Sequence, residues 1–193
     1  MKIRPYWKSD FDYIKEWDDN DKTHAKWCAN LLQYPLIFHE FQKYIDDEEK
    51  KWNQCAFTVT RENGIPMGFF CLGFKFERRS LSNIESMSAE DALEVKADKG
   101  CNYDNNSGFL KFVILDNKER GKGFGKEMLH KIIEYSFASA NLSSVRLVVF
   151  DNNRSAIKTY IDAGFIKTEH IPDAFHYKDE LWGRCFMNIT RNK

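Results

Sequence analysis

The sequence predicts an α/β (α+β) fold, a mixed central sheet of about six to seven strands flanked by helices. Three observations carry this prediction. Runs of strand character stand before, between and after stretches of helical period. Asn63-Gly64 separates two such runs and turns them into a hairpin. Further on, "GFLKFVILD", a glycine-rich loop, a helical period and "SVRLVVF" follow one another. That β-α-β order brings parallel pairing into the same sheet.

From the N-terminus, "KIRPY" reads as a short edge strand, because Pro5 has no amide to offer a second neighbour. "SDFDYIKEWDD" opens on Ser/Asp capping residues and continues as a helix. "DKTHAKWCANLLQ" reads as a second helix, ended at Tyr34-Pro35 because the residue before proline leaves the helical region. "FHEFQKYIDDEEKK" is a third. "QCAFTVTRE" and "MGFFCLGFKFE" are the hairpin strands. Residues 78–107 are polar and lack period 2, with a short helix expected at "SAEDALEVKAD". A connection that long is a functional lid or an insertion. "GFLKFVILD" is a strand, and "SVRLVVF", almost wholly apolar, is a central one. "NRSAIKTYIDAG" is a helix closed by Gly164. "FIKTEHI" and "LWGRCFMNIT" are the last strands, around a loop "PDAFHYKDE". With no repeat and no linker, residues 1–193 read as one domain.

Composition narrows the function. Lysine plus arginine and aspartate plus glutamate both number 29, so the chain lacks the basic surplus a nucleic-acid binder needs. No window reaches the roughly 18 apolar residues of a membrane helix. The N-terminus places acids where a leader needs an apolar core, so a cytoplasmic location is expected. Five scattered cysteines without C-x-x-C read as reduced thiols, and the histidines form no metal-ligand pattern, so no metal is expected.

The chemistry starts in "ILDNKERGKGFGKEMLHKII", residues 114–133. Gly121, Gly123 and Gly125 alternate with Lys122 and Phe124 between a strand and a helix, followed by Lys126. Glycines there let backbone approach a phosphate. A Walker loop fails, since Glu127 follows Gly125-Lys126 and Arg120 stands where the first glycine belongs. The dinucleotide fingerprint fails too, with Gly125 one place early. What remains is R-x-x-G-x-G over Arg120, Gly123 and Gly125, whose first-turn amides suit a pyrophosphate without metal.

A second motif follows one strand later. Asn153, Ala156, Ile157, Tyr160 and Gly164 in "NRSAIKTYIDAGF" fall on one helical face. With both motifs the sequence resembles the GNAT superfamily of acyl-CoA-dependent N-acetyltransferases. The family loop pattern [QR]-x-x-G-x-[GA] is matched by Arg120, Gly123 and Gly125. Its helix pattern N-x-x-A-x-x-x-Y-x-x-x-G-F is matched by Asn153, Ala156, Tyr160, Gly164 and Phe165. The resemblance is firm over 107–168 and looser over 1–76, where "IRPYWKSDFDYIKEW" is similar to the branch that acetylates ribosomal-protein N-termini and small-molecule amines.

The resemblance implies one GNAT-type domain with acetyl-CoA as cosubstrate and no metal, and a sheet splayed at a bulge in the acetyl-CoA strand. Backbone of Val113, Ile114 and Leu115 would pair with the pantetheine arm. Arg120, Gly121, Lys122, Gly123, Phe124, Gly125 and Lys126 would hold the pyrophosphate, and Asn153 the pantetheine amides. Tyr160 would protonate the departing sulfur. That transfer, from about pKa 10 to a thiolate near 8.5, is uphill by roughly 2 kcal/mol, so collapse of the tetrahedral intermediate must drive it or the local field must lower the tyrosine. Relatives often carry a glutamate base where this sequence has Val148. The base is therefore unassigned, with Glu169, His170, Asp173 and His176 as candidates. Without a base, the acceptor should be an amine of low pKa. An α-amine is about 14% neutral at pH 7, against about 0.04% for lysine. The acidic runs at 18–21 and 46–49 would suit a polycationic acceptor but read more simply as solvated helix ends. The expected partners are a small-molecule amine or peptide N-terminus; a homodimer is allowed, and neither nucleic acid nor membrane is expected. The alternative function is a catalytically silent acyl-CoA-binding sensor or interaction domain.

Overall fold

The computed structural model describes residues 1–74 and 106–191. Apart from its last two residues, the expected lid or insertion at 78–107 lies outside that range.

The chain begins with β1 (Lys2–Pro5), a 3-10 turn at Lys8–Asp10 and α1 (Phe11–Trp17). Asp10 is buried, and its carboxylate organises this entry. It accepts from Arg4 Nη1 and Nη2 at 2.7 and 2.8 Å, from the Trp7 amide at 2.9 Å and from Thr58 Oγ1 at 2.7 Å. Helices α2 (Asp21–Cys28) and α3 (Phe38–Trp52) follow, then the hairpin β2 (Gln54–Thr60) and β3 (Pro66–Gly73). Beyond the undescribed segment come β4 (Ser107–Leu115), α4 (Phe124–Glu134) with a π-helical turn at Tyr135–Ser139, β5 (Ser144–Phe150), α5 (Arg154–Asp162), β6 (Ile166–Tyr177) and β7 (Glu180–Thr190).

Two expected boundaries are corrected. The second helix stops at Cys28, six residues before Tyr34, because Ala29 and Asn30 both turn left-handed (φ 53° and 59°). The expected loop "PDAFHYKDE" is mostly strand: β6 runs on to Tyr177 with a register shift between Ile171 and Phe175. Pro172 is tolerated because β6 lies at the sheet edge beside such an irregularity.

Seven strands form one sheet in the order β1-β2-β3-β4-β5-β7-β6. Among the described residues, only the β4–β5 pair is parallel. On one face α4 and α5 set Met128, Leu129, Ile132 and Tyr160 against Leu110, Val145 and Leu147. On the other, α1–α3 set Ile14, Trp17 and Phe41 against Phe69, Phe112 and Ile114. Each such side chain, fully buried, contributes about 1.5–3 kcal/mol.

The alternation of β4 breaks once. Leu110 faces α4, whereas Phe112 and Ile114 face α1–α3. The partners slip at the same point: Phe69 meets Ile114 but Cys71 meets Lys111. The extra residue is a bulge at Phe112, held at φ 51°.

Candidate active site

Strands β4 and β5 pair only at Ser107–Ser144, Gly108–Val145 and Phe109–Arg146. Beyond Phe109 they part, and from there to Leu115 β4 has no strand on that side among the described residues. The parting coincides with the bulge, so backbone amides and carbonyls near Val113 turn toward a gap rather than a neighbour. Val113, Ile114 and Leu115 all lie on this stretch, although the Leu115 carbonyl already accepts from Arg120 Nε at 3.2 Å. A cavity of about 90 Å3 occupies the gap. Its walls include Trp27 and Cys28 from α2, Leu110 and Phe112 from β4, and Val148 and Phe150 from β5.

The glycine loop sits at the far end of β4, tightly anchored. Arg120 Nη2 donates to the Trp17 carbonyl at 3.1 Å, Lys118 pairs with Glu16 at 2.7 Å, and Asn117 donates to Asp19 at 3.2 Å. Arg61, from the β2–β3 hairpin, pairs with Asp116 at 3.5 Å and with Glu119. The Arg120 guanidinium thus donates to two main-chain carbonyls, which anchors the loop. Gly121 and Gly123 have φ 77° and 87°, and a Cβ at either would meet nothing within 4 Å. Among the described residues, the amides of 121–125 donate to no backbone carbonyl. The Lys126 amide, like that of Glu127, donates to the Gly123 carbonyl, at 3.1 and 3.2 Å. Gly125 has another job, since a Cβ there would touch Thr159 Cγ2 at 3.5 Å, where α4 packs on α5. Phe124 packs against the core, Lys126 is exposed, and Lys122 pairs with Glu119 at 3.4 Å. This cradle of free amides, open space and nearby lysines fits a diphosphate.

Asn153 precedes α5; its amide donates to Phe150 at 2.9 Å and its carbonyl accepts from Ile157 at 3.0 Å. Tyr160, nearly two turns on, is buried, with its ring 5.7 Å from that of Phe165 in edge-on contact. Burial pushes its pKa up. The local field therefore does not lower it, contrary to one of the two expected routes. Leu110 and Val149, which share its apolar cluster, also line the cavity.

Val148 faces the cavity, and no carboxylate does among the described residues. The proposed bases Glu169, His170, Asp173 and His176 are exposed on β6 and line no part of it. His170 pairs with Asp151 at 3.1 Å, and Asp151 also accepts from the Gly183 amide at 3.0 Å. A side chain at Gly183 would collide with both partners, so glycine leaves room for that pair.

Sequence reasoning missed one buried cluster altogether. His24 Nδ1 lies 2.7 Å from Asp18 Oδ2, its Nε2 lies 2.7 Å from the Leu32 carbonyl, and Cys28 Sγ lies 3.2 Å from the same nitrogen. Burial alone would lower the His24 pKa, but the Asp18 carboxylate and the other contacts outweigh it and the value is pushed up to about 10. The imidazole joins the segments before and after α2, which is why the helix cannot run on to Tyr34. The signal was present as His and Cys at i and i+4, with Asp six residues upstream.

The site is thus a split mixed sheet with free helix-start amides at the mouth of the split. The chain belongs to the acetyltransferase (GNAT) family, whose model matches residues 11–165. It is 30% identical over 81 residues to the spermidine N(1)-acetyltransferase of Vibrio cholerae serotype O1, a match covering 42% of this chain and 47% of that enzyme. The fold is similar to that of the spermidine N-acetyltransferase from Vibrio cholerae in complex with CoA and spermine. There the TM-score is 0.71 at 19% identity, over 98% of this chain and 94% of that one. A spermidine N-acetyltransferase chimera from Vibrio cholerae and hSSAT gives 0.69 at 18%, over the same shares. Among the described residues, no helix is long and apolar enough to cross a membrane.

Proposed function

We propose that this chain transfers an acetyl group from acetyl-CoA to a primary amine by direct attack on the thioester. The observation that carries the reading is the gap: β4 leaves β5 after three residue pairs, beside a bulge, with five free amides at the start of the next helix. The pantetheine arm pairs with β4 near Val113, the diphosphate sits on the amides of Gly121 to Gly125, and Asn153 holds the pantetheine amides. A bulge amide near Phe112 polarises the thioester carbonyl. Tyr160 delivers the proton to the departing sulfur. A dry site raises phenol and thiol together, so their difference stays near the roughly 2 kcal/mol of free solution. Arg120 fixes the loop and does not touch the phosphates.

The acceptor enters without help from a carboxylate in the described lining, where Lys26 stands instead. That wall disfavours an ammonium and favours an amine with an appreciable neutral fraction near pH 7, such as a peptide or small-molecule α-amine. The Vibrio cholerae relatives are named for a polyamine, which makes spermidine the competing acceptor here. Free thiols at Cys28, Cys55, Cys71 and Cys185 suit a cytoplasmic location.

A thiol-release assay against α-amines, lysine side chains and polyamines tests this reading. The expected result is turnover with α-amines and a kcat/KM profile that rises with a midpoint near pH 8 and levels off above about pH 9. A preference for spermidine would overturn the acceptor class. CoA binding without turnover on any amine would make the chain an acyl-CoA sensor.

A further inference from the structure

We infer that the acceptor carries a carboxylate close to its amine and that Lys26 selects it, because the rim of the β4–β5 cavity holds an ammonium that no acid answers among the described residues. The inference rests on the acetyl-transfer reading above and narrows its acceptor to α-amines with an acidic side chain on the same residue.

The walls set the sign. Lys26, Lys111 and Arg184 contribute to the lining, and no aspartate or glutamate does among the described residues. Lys111 is compensated by Glu48 at 3.7 Å. Glu180, the acid whose field reaches Lys26, is spent elsewhere: it holds Lys22 with both oxygens, at 2.6 and 2.9 Å, and accepts from the Trp182 indole at 2.8 Å. Among the described residues the Lys26 ammonium has one hydrogen bond, to the Asn152 carbonyl at 3.4 Å. That bond is long, and a carbonyl brings no charge to offset the lysine.

The contacts of Nζ fix where the charge lies. Lys26 leaves α2 and ends at the turn after β5, just past Phe150, which lines the cavity. The Trp182 ring lies 5.9 Å from the same nitrogen and 5.1 Å from the Phe150 ring. The ammonium therefore stands at the β5 side of the rim, beside Asn153. Lys26 is half-buried, and burial together with the neighbouring Lys22 pushes its pKa below the ordinary 10.5. A carboxylate at hydrogen-bond distance would offset both effects.

Size sets the spacing. At about 90 Å3, roughly the share of three waters in the liquid, the cavity holds an acetyl group and an attacking amine and little beyond them. A carboxylate that meets Lys26 is then within a few bonds of the amine, as in an amino-terminal Asp or Glu. Such an α-amine keeps an appreciable neutral fraction near pH 7. A polyamine would bring further positive charge to the same rim and be repelled.

The test is thiol release with four peptide amides that differ only in the first residue, Asp, Asn, Glu or Gln, with spermidine beside them. Calorimetry with CoA establishes that each protein binds its cosubstrate. For the acidic peptide of at least one pair, kcat/KM of the native chain should exceed that of its neutral partner about 10- to 100-fold, mainly through KM, as befits a hydrogen bond between charged groups. Lys26→Met, which keeps an apolar stem, should bring that ratio to about one, and Lys26→Glu should invert it. A folding defect would scale both members of a pair alike and leave the ratio standing. Equal kcat/KM within both pairs for the native chain, or a ratio that survives Lys26→Met, would overturn the inference and spare acetyl transfer. A preference for spermidine would overturn it together with the α-amine class. CoA binding without turnover on any amine would take the acetyl-transfer reading down, and the inference with it.

Discussion

Gly123→Ala isolates what the loop backbone does. Gly123 is the residue before α4, at φ 87° and ψ −12°. The added methyl would meet nothing within 4 Å, so packing contributes no penalty. The whole cost is the left-handed backbone, about 1–2 kcal/mol for a residue with a Cβ. It must appear in one of two places. If the anchors at Trp17, Glu16 and Asp19 hold the loop, unfolding free energy drops by about 1–2 kcal/mol and CoA affinity is kept. If the loop relaxes, stability is kept, the amides turn away, and Kd for CoA rises about 5- to 30-fold. Gly125→Ala is the control. Its methyl would sit 3.5 Å from Thr159 Cγ2, an ordinary contact in the first turn of a helix. There alanine is favoured over glycine by up to about 1 kcal/mol. Denaturant unfolding and calorimetry with CoA measure both quantities on both variants. The reasoning fails if Gly123→Ala changes neither, or if Gly125→Ala is the more damaging.

Tyr160→Phe should lower kcat about 100-fold and leave CoA affinity unchanged, as single-turnover kinetics and calorimetry would establish; an undiminished kcat would remove the hydroxyl from proton delivery. Asp10→Ala should cost about 3 kcal/mol in denaturant unfolding, the low end for a broken buried pair because Arg4 keeps some solvent; a loss below about 1 kcal/mol would mean water replaces the carboxylate. For His24 the folded pKa, about 10, lies above the ordinary value of about 6.5. Protonation therefore favours the fold, in full below about pH 6.5 and less as pH climbs toward 10. The stability gap between the native chain and His24→Gln should shrink over that interval, and a gap that widens would reverse the assigned charge.

What could be read from residues alone was whatever local chemistry controls. The Asn63-Gly64 hairpin, the glycine loop and the helix from Arg154 are set by turn residues, backbone freedom and apolar period, all visible within a dozen positions. The bulge was expected only through the family resemblance and has no local sign of its own, because Phe112 is the wrong residue for φ 51° by local preference and is held there by Trp27 and Tyr44 packing on its ring. Helix α2 was read too long for the same kind of reason: its end is set by an imidazole reaching Leu32. The anchoring of Arg120 was likewise not legible, since the carbonyls of Trp17 and Leu115 that engage it come from elements whose arrangement only the fold supplies. "PDAFHYKDE" carries turn residues, and cross-strand pairing with β7 overrides them.

The three residue pairs joining β4 to β5 make the sheet two plates meeting at a short seam. Little main-chain bonding keeps the plates in line, so alignment depends on the helices that straddle the seam. An extended guest laid along β4 would finish the interrupted ladder and act as a keystone between them. Occupancy and rigidity are then one property, and thermal denaturation with and without the guest reads both.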